Sequence, residues 1–156
     1  MDKIEYKKIA YLLGCYMVIV DKEINQMEVD VLDNYLPLSK EDELYHQRMQ
    51  IFSDDEESMK LKDILDKLVM ANYSVAQKTE IVTLLARIAY GDDYMASSEL
   101  ELLIKVGKLL KLDIDQIIEE TQSESNKRIA SSQLSSLKRF VGKMENTIYQ
   151  NFANSD

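Results

Sequence analysis

The chain has 156 residues, of which 46% are hydrophobic, so it is long enough for one domain with an apolar core and too short for two ordinary domains. One proline, four glycines and 30% charged residues favour helices over sheets. The net charge of -9 disfavours a nucleic-acid-binding surface, and we expect the carboxylates to attract cations or basic protein partners instead.

The first predicted helix starts at a capping box formed by Asp2 and Glu5. Apolar residues follow at helical spacing, at Ile9, Leu12, Leu13, Tyr16, Met17 and Val20. Its opposite face is also apolar, so we expect the helix to be covered on nearly all sides and Cys15 to be an inert core residue. The apolar run is shorter than the roughly 20 residues of a membrane-spanning helix. We therefore expect a cytoplasmic protein without direct membrane insertion.

Two more helices are predicted before residue 53. Asn25 and Glu28 form a second capping box at the start of one helix. Ser39 with Asp42 is predicted to start the next helix, which runs to about Phe52. Short polar loops separate these elements, as expected for a helical bundle.

An acidic run from Ser53 to Ser58 precedes the fourth helix, and we interpret it as a solvated helix start. The fourth helix places one apolar stripe on its surface, formed by Leu61, Ile64, Leu65, Leu68 and Val69. A fifth helix is predicted to begin with a capping box of Ser74 and Gln77.

The sixth helix is predicted from Ser97 or Ser98 to Lys111, with Gly107 permitting a close helix contact. Asp113 with Gln116 caps a short seventh helix. Three isoleucines of that helix are expected to close the core, and they are Ile114, Ile117 and Ile118.

The composition changes at residue 121, where a polar linker from Thr121 to Ser136 is predicted. A heptad stripe follows on a predicted eighth helix, at Leu134, Leu137, Val141, Met144 and Ile148. Residues 1–120 carry 14 basic and 25 acidic side chains, whereas residues 121–156 carry 5 and 3. We predict a helical domain over 1–120 and a distinct tail over 121–156. The tail is expected either to fold back on the acidic body or to act as a connector or self-association segment through the 134–148 stripe.

One pattern occurs twice in the chain. The run from Val82 to Leu103 repeats the run from Tyr11 to Leu32 at an offset of 71 positions. Each copy reads as an apolar helix, an Asp, two residues, an apolar plug, three residues, a Glu and another apolar helix. The sequence therefore predicts an all-α fold of duplicated helix-turn-helix halves, with about seven helices and a C-terminal helix.

The repeated acids are Asp21 with Glu28 in the first copy and Asp92 with Glu99 in the second. Because the chain reverses at each turn, these four carboxylates can approach one another if the copies pack face to face. Such clusters suit hard cations, Ca²⁺ or Mg²⁺ rather than Zn²⁺. Helix capping explains each acid separately, but capping does not require the same Asp-to-Glu spacing in both copies. A metal site and purely structural turns both remain open.

The stretch from Ile88 to Met95 with Glu99, and that from Asp21 to Asn25 with Glu28, resemble the tellurite-resistance TerB-like domains. Members of this family carry a turn of the type A-D-G-x-I-[S/D]-x-x-E in each half, and the resemblance covers roughly residues 3 to 120. It implies a TerB-like helical bundle and an acidic, metal-binding module tied to stress resistance, standing alone or fused to other domains. Lys22 and Asp93 replace the glycine of the family's turn.

The sequence lacks the common catalytic and calcium-binding signatures. An EF-hand is excluded because Gln26 and Ser97 stand where its glycine would be. A Gly-rich phosphate loop, an HExxH motif and a Ser-His-Asp set are also absent from the sequence. We therefore expect a non-catalytic module that binds a divalent cation and a protein partner. The alternatives are a regulatory or adaptor domain of a larger ATPase, GTPase or chaperone-type protein, and a metal-dependent phosphohydrolase.

Overall fold

The computed structural model of the protein describes residues 3–91 and 95–128. Within these ranges the chain forms seven helices and no strand, which confirms the all-α class. The helices are α1 (Lys3–Ile19), α2 (Gln26–Tyr35), α3 (Glu43–Phe52), α4 (Leu61–Met70), α5 (Val75–Ala89), α6 (Ser97–Leu109) and α7 (Asp115–Arg128). In the described part of the chain, no helix has the length and apolar character needed to cross a bilayer. The predicted Asp2 cap and the 134–148 stripe lie outside the described residues.

Helices α1 and α5 pack against each other at the centre of the molecule. Helices α2, α3 and α4 pack on α1, while α6 and α7 pack on α5. Helix α2 also packs on α5, so the first half of the chain is joined to the second by two helices. The core is therefore shared between the halves.

The structure confirms the predicted duplication and extends it. Helix α2 begins at Gln26 and α6 at Ser97, which reproduces the offset of 71 residues. Helix α3 begins at Glu43 and α7 at Asp115, so the third helices are also related, at an offset of 72 residues. Each half is thus a three-helix unit, and α4 joins the two units.

Helix α1 is covered on nearly all sides, as predicted. Every residue from Ile9 to Val18 is buried except Tyr16, whose hydroxyl donates to the Met59 carbonyl at 2.6 Å. Cys15 is fully buried, and this burial raises the pKa of its thiol, in keeping with an inert core residue. Tertiary packing therefore determines the environment of this helix far more than its own amphipathic pattern does.

The predicted helix starts hold in one case and fail in another. Ser74 Oγ accepts from the Gln77 N–H at 3.1 Å while Gln77 Oε1 accepts from the Ser74 N–H at 2.9 Å, so the predicted capping box of α5 is confirmed. The prediction that Ser39 starts α3 is wrong. Asp42 is the N-cap of α3, and its carboxylate accepts from the Ser39 N–H at 2.8 Å, which closes a turn ahead of the helix.

The acidic run after α3 does not start a helix, contrary to the prediction. Asp54 has a positive φ of 55°, and its N–H donates to the Ile51 carbonyl. The Asp55 N–H donates to the Gln50 carbonyl, which completes a Schellman motif at the end of α3. Helix α4 begins only at Leu61. The acids therefore follow the end of one helix and precede the next by several residues.

Helix α4 buries most of its predicted stripe. Ile64, Leu65 and Leu68 are buried, whereas Val69 is 54% exposed and does not belong to the core, contrary to the prediction. Since α4 packs on α1 and ends at Met70, its last turn projects beyond the surface that α1 offers.

Helix α7 is longer than the short helix predicted from sequence. It continues to Arg128, into the segment predicted as a linker. Thr121 is buried, and its hydroxyl donates to the Ile117 carbonyl at 2.8 Å. The close contact predicted at Gly107 is present, because a Cβ there would lie 2.3 Å from Ile114 Cγ2. The remainder of the predicted linker and the eighth helix fall outside the described residues.

Candidate cation site at the two acidic turns

Two loops carry the repeated acids. The first turn, residues 20–25, joins α1 to α2, and the second turn, residues 90–96, joins α5 to α6. Asn25 and Ala96 are the N-cap residues of α2 and α6. Residues 92–94 of the second turn lie outside the described residues, and the predicted ligand Asp92 is one of them.

The two turns meet where Gly91 lies against the start of α2. A Cβ built at Gly91 would be 3.1 Å from Glu28 Cα and 3.2 Å from Glu28 N. These neighbours are backbone atoms, which cannot move aside as the end of a side chain can. Glycine is therefore required for this approach, because any larger residue would push the second turn away from α2. The sequence analysis assigned no such role to Gly91.

Glu28 and Glu99 occupy the same place in the two halves. Each is the third residue of its helix, and each is only 1% exposed. Glu99 Oε1 accepts a hydrogen bond from the Ala96 N–H at 3.0 Å. Burial of a carboxylate lowers stability unless hydrogen bonds, an opposite charge or a bound cation replace its hydration. Each half thus places one buried acid at the start of its second helix, as the repeat predicts.

Asp21 shapes the first turn. It is half-buried, and its Oδ1 accepts from the Glu23 N–H at 3.1 Å. Lys22 follows with a positive φ of 67°, the backbone region in which a glycine carries no strain. The prediction that Asp21 accepts a backbone hydrogen bond in its turn is confirmed, and Lys22 occupies the position at which the TerB-like pattern has glycine.

The two turns differ in how the next helix is capped and how the loop is anchored. Asn25 Oδ1 accepts from the Met27 N–H at 2.8 Å, whereas Ala96 offers no side-chain acceptor to α6. Met95 is 1% exposed, as expected of an apolar plug, but its counterpart Ile24 is 54% exposed. The prediction of a plug in both copies is therefore wrong for the first.

The described residues do not by themselves assemble a metal site. Within 3–91 and 95–128, no group of three or more His, Cys, Asp or Glu side chains is placed to hold a metal ion. Asp21, Glu28 and Glu99 are described, but Asp92 is not. The four-carboxylate site therefore stays a prediction.

A second polar cluster, which the sequence analysis missed, joins the three helices of the first half. Arg48 of α3 forms an ion pair with Asp33 of α2, and the same nitrogen donates to the Tyr11 hydroxyl of α1 at 3.1 Å. The guanidinium also lies over the rings of Tyr45 and Phe52, at 5.3 and 5.2 Å from their centroids. We call Tyr11, Asp33 and Arg48 the polar cluster.

Burial and charge perturb the polar cluster in a consistent way. Burial raises the pKa of Tyr11 to about 12, although the hydrogen bond from Arg48 acts in the opposite direction. Burial lowers the pKa of Arg48, but the hydrogen bonds to Tyr11 and Asp33 outweigh it, so the pKa is raised. The Tyr11 hydroxyl is therefore neutral and Arg48 charged at neutral pH. This cluster ties helices together and lies on different residues from the two turns.

Comparison with known proteins bears on both the fold and the turns. A family model described as tellurite resistance protein TerB matches residues 8–122. This range includes both turns and extends from α1 into α7. Comparisons with curated proteins and with solved structures gave no match.

Proposed function

The chain belongs to the TerB family of tellurite-resistance proteins, whose model spans residues 8–122, and from that premise we propose that it is a non-catalytic acidic module. The module binds a divalent cation, Ca²⁺ or Mg²⁺ in preference to Zn²⁺, through Asp21, Glu28, Asp92 and Glu99. It presents its acidic surface to a protein partner in a bacterial stress-response system.

The contact between Gly91 and Glu28 is the observation that carries the proposal. It brings the second turn against the helix start that bears the first turn's buried acid. Asp92 follows Gly91 directly in the chain, so one predicted ligand is a single residue from this contact. The cradle at Gly91 leaves no room for a side chain, as expected where two carboxylate-bearing loops must converge.

The chemistry of the four residues fits a hard cation. All four offer carboxylate oxygens, which Ca²⁺ and Mg²⁺ prefer, and none offers the nitrogen or sulfur typical of structural zinc. A bound cation would neutralise the repulsion between these acids and clamp the two turns together. The chain's own residues would hold the ion, orient the loops and fix the surface presented to a partner.

Thermal unfolding of the metal-stripped protein, titrated separately with Ca²⁺, Mg²⁺, Mn²⁺ and Zn²⁺, tests the site. An ion at a hundredfold excess over its dissociation constant stabilises the native state by about 2.7 kcal/mol, which gives a readily measured shift. Asp21→Asn combined with Asp92→Asn should abolish this shift while helicity is retained. The matched control is Glu56→Gln with Glu57→Gln, which removes two exposed charges elsewhere. Unchanged cation affinity in the Asp21/Asp92 variant would overturn the site assignment.

A partner that recognises the acidic surface should bind through basic groups. Residues 1–120 carry eleven more acidic than basic side chains, so such binding should weaken as salt screens the charges. Affinity that is independent of ionic strength would contradict a partner of this kind.

A second candidate is a regulatory or adaptor domain in which the acidic turns are structural. Two hydrogen bonds favour it, because Asp21 accepts from the Glu23 N–H and Glu99 from the Ala96 N–H without any ion. In that case none of the four cations shifts the unfolding temperature. The same titration therefore separates the two candidates.

A further inference from the structure

Helices α2, α5 and α7 enclose a groove of about 840 Å³ on the surface of the molecule. Val31 and Tyr35 line it from α2, Thr83 and Arg87 from α5, and Glu124 from α7. The groove lies on different residues from the predicted cation ligands and from the polar cluster. Its lining combines apolar side chains with carboxylates, which suits an amphipathic helix with basic flanks.

A fixed carboxylate lies in the wall of the groove. The Tyr35 hydroxyl donates to Glu80 Oε2 at 2.8 Å, and the Tyr6 hydroxyl donates to Glu80 Oε1 at 3.4 Å. Burial and the neighbouring Glu80 raise the pKa of Tyr35, so this hydroxyl remains a donor at neutral pH. Glu124 adds a second carboxylate, which lies 3.6 Å from Arg87. The groove therefore holds two acids and one base.

The chain itself continues from the end of this groove. Glu124 lines it, and Leu134, the first residue of the predicted heptad stripe, follows ten residues later. Ten residues reach at most about 33 Å. The groove follows α5 from Ala76 to Arg87, which is about 16 Å of helix. A helix over residues 134–148 would be about 22 Å long, so it can both reach the groove and fill its length.

Charge and polarity also match. The five basic side chains of residues 121–156 outnumber the three acidic ones, in contrast to the acidic body. Lys138, Arg139 and Lys143 flank the apolar stripe and can face Glu80 and Glu124. We propose that the chain's own 134–148 segment docks in this groove, with its apolar stripe against α2 and α5.

The short tether favours docking within one chain. A flexible connection of about ten residues gives an effective concentration in the millimolar range, so a weak contact suffices for occupancy. A second copy of the chain would have to compete with this local segment. The docked tail makes access to the groove depend on its release, which is a property beyond cation binding at the turns.

Cysteine labelling of the full chain tests the proposal. Thr83→Cys places a thiol in the groove, and the native Cys15 does not compete because it is fully buried. Its reaction with a maleimide should be at least tenfold slower in the native chain than in a chain that also carries Leu137→Asp and Val141→Asp. Ser135→Asp with Ser136→Asp adds the same charge off the stripe and should leave the protection intact. Met70→Cys, 86% exposed on α4, should react equally in all backgrounds.

Each outcome of the labelling experiment decides the proposal. Equal Thr83→Cys rates with and without the stripe substitutions would overturn it. Protection that is lost on dilution, together with a dimer in sedimentation, would overturn it in favour of a second copy as the occupant. Should Thr83→Cys fail to fold, Ala76→Cys provides an exposed thiol in the same groove, and the same expectations apply.

Discussion

The two halves of the molecule share their helix order but hold their helices together with different chemistry. The first half joins α1, α2 and α3 through the polar cluster. At the positions corresponding to Tyr11 and Asp33, 71 residues later, the second half has Val82 and Ile104, both buried. The same three-helix unit can therefore be closed by a polar network or by apolar packing. The repeat in backbone plan persists where the repeat in side-chain chemistry does not.

The turns give the same lesson with one exception. Their N-caps differ, since Asn25 caps α2 with its side chain while Ala96 cannot, and their plugs differ in burial. The buried glutamate at the third helical position is present in both, at Glu28 and Glu99. A feature that persists when its usual capping partner is absent calls for another role, and this favours the cation site.

The largest expected effect separates the polar cluster from its apolar counterpart. Arg48→Ala should lower the free energy of unfolding by about 3 kcal/mol, because it leaves the Tyr11 hydroxyl without its donor and uncovers the rings of Tyr45 and Phe52. Urea denaturation measures the loss. Asp33 is 48% exposed at its side chain, which keeps the effect below that of a fully buried ion pair.

Glu119 provides the matched control, since it stands 71 residues after Arg48 and is exposed. Glu119→Ala should change the stability by no more than about 0.5 kcal/mol. Similar small losses for both variants would mean that the polar cluster contributes little and that the halves are equivalent after all.

Gly91→Ala tests the contact between the turns. It should destabilise the protein by about 2 kcal/mol, because the added Cβ meets the Glu28 backbone. The corresponding position of the first half is Val20, which is half-buried, and Val20→Ala should cost about 1 kcal/mol or less. Thermal unfolding of both variants makes the comparison, and an equal cost would indicate that the second turn yields without strain.

Tyr11→Phe makes the first half resemble the second, where Val82 has no hydroxyl. The lost hydrogen bond from Arg48 should cost about 1.5 kcal/mol at neutral pH. The native pKa of Tyr11 is raised to about 12 from the ordinary value of 10.0, so its neutral form stabilises the fold below pH 10. The unfolded chain releases the proton first, and the stabilisation, at most about 2 kcal/mol, is lost between pH 10 and 12.

Urea unfolding at several pH values between 9 and 12 measures this difference. The stability of the wild type should fall more steeply with pH than that of Tyr11→Phe. The other tyrosines titrate equally in both proteins, so the difference reports on Tyr11 alone. Parallel pH dependences would contradict a raised pKa at this residue.

The smallest expected effects come from exchanging the caps. Asn25→Ala should cost about 1 kcal/mol, because the Met27 N–H loses its acceptor. Ala96→Asn should gain about 0.5 kcal/mol, since Ala96 already has the extended backbone of an N-cap. Chemical denaturation of both single variants checks the signs. A loss on Ala96→Asn would show that the second turn has no room for the cap of the first.

Much of the fold could be predicted because it is encoded locally. Helical periodicity indicated all seven helices, and the Ser74–Gln77 pair marked the start of α5 correctly. Local patterns failed where a polar side chain had another partner nearby. Asp42 serves the Ser39 N–H, and Asp54 ends α3 with a positive φ, so both departed from simple capping rules.

The candidate site was only partly predictable for a different reason. The offset between the copies identified Glu28 and Glu99, because the repeat is visible along the chain. The close approach of Gly91 to Glu28 joins residues 63 positions apart, and no local pattern reports it. The polar cluster likewise draws on three separate helices. Its one sequence signal was an arginine spaced between Tyr45 and Phe52 on a single helix.

The central position of α1 has a consequence during protein synthesis. Its neighbour α5 ends at Ala89, 70 residues after α1 ends at Ile19. At 5–20 residues per second, roughly 4 to 14 s pass on the ribosome before the whole of α5 has been made. During that interval the nascent chain carries an apolar helix whose principal partner does not yet exist. Holding chaperones near the exit tunnel should therefore recognise the segment from Ile9 to Val18 before any other part of the chain.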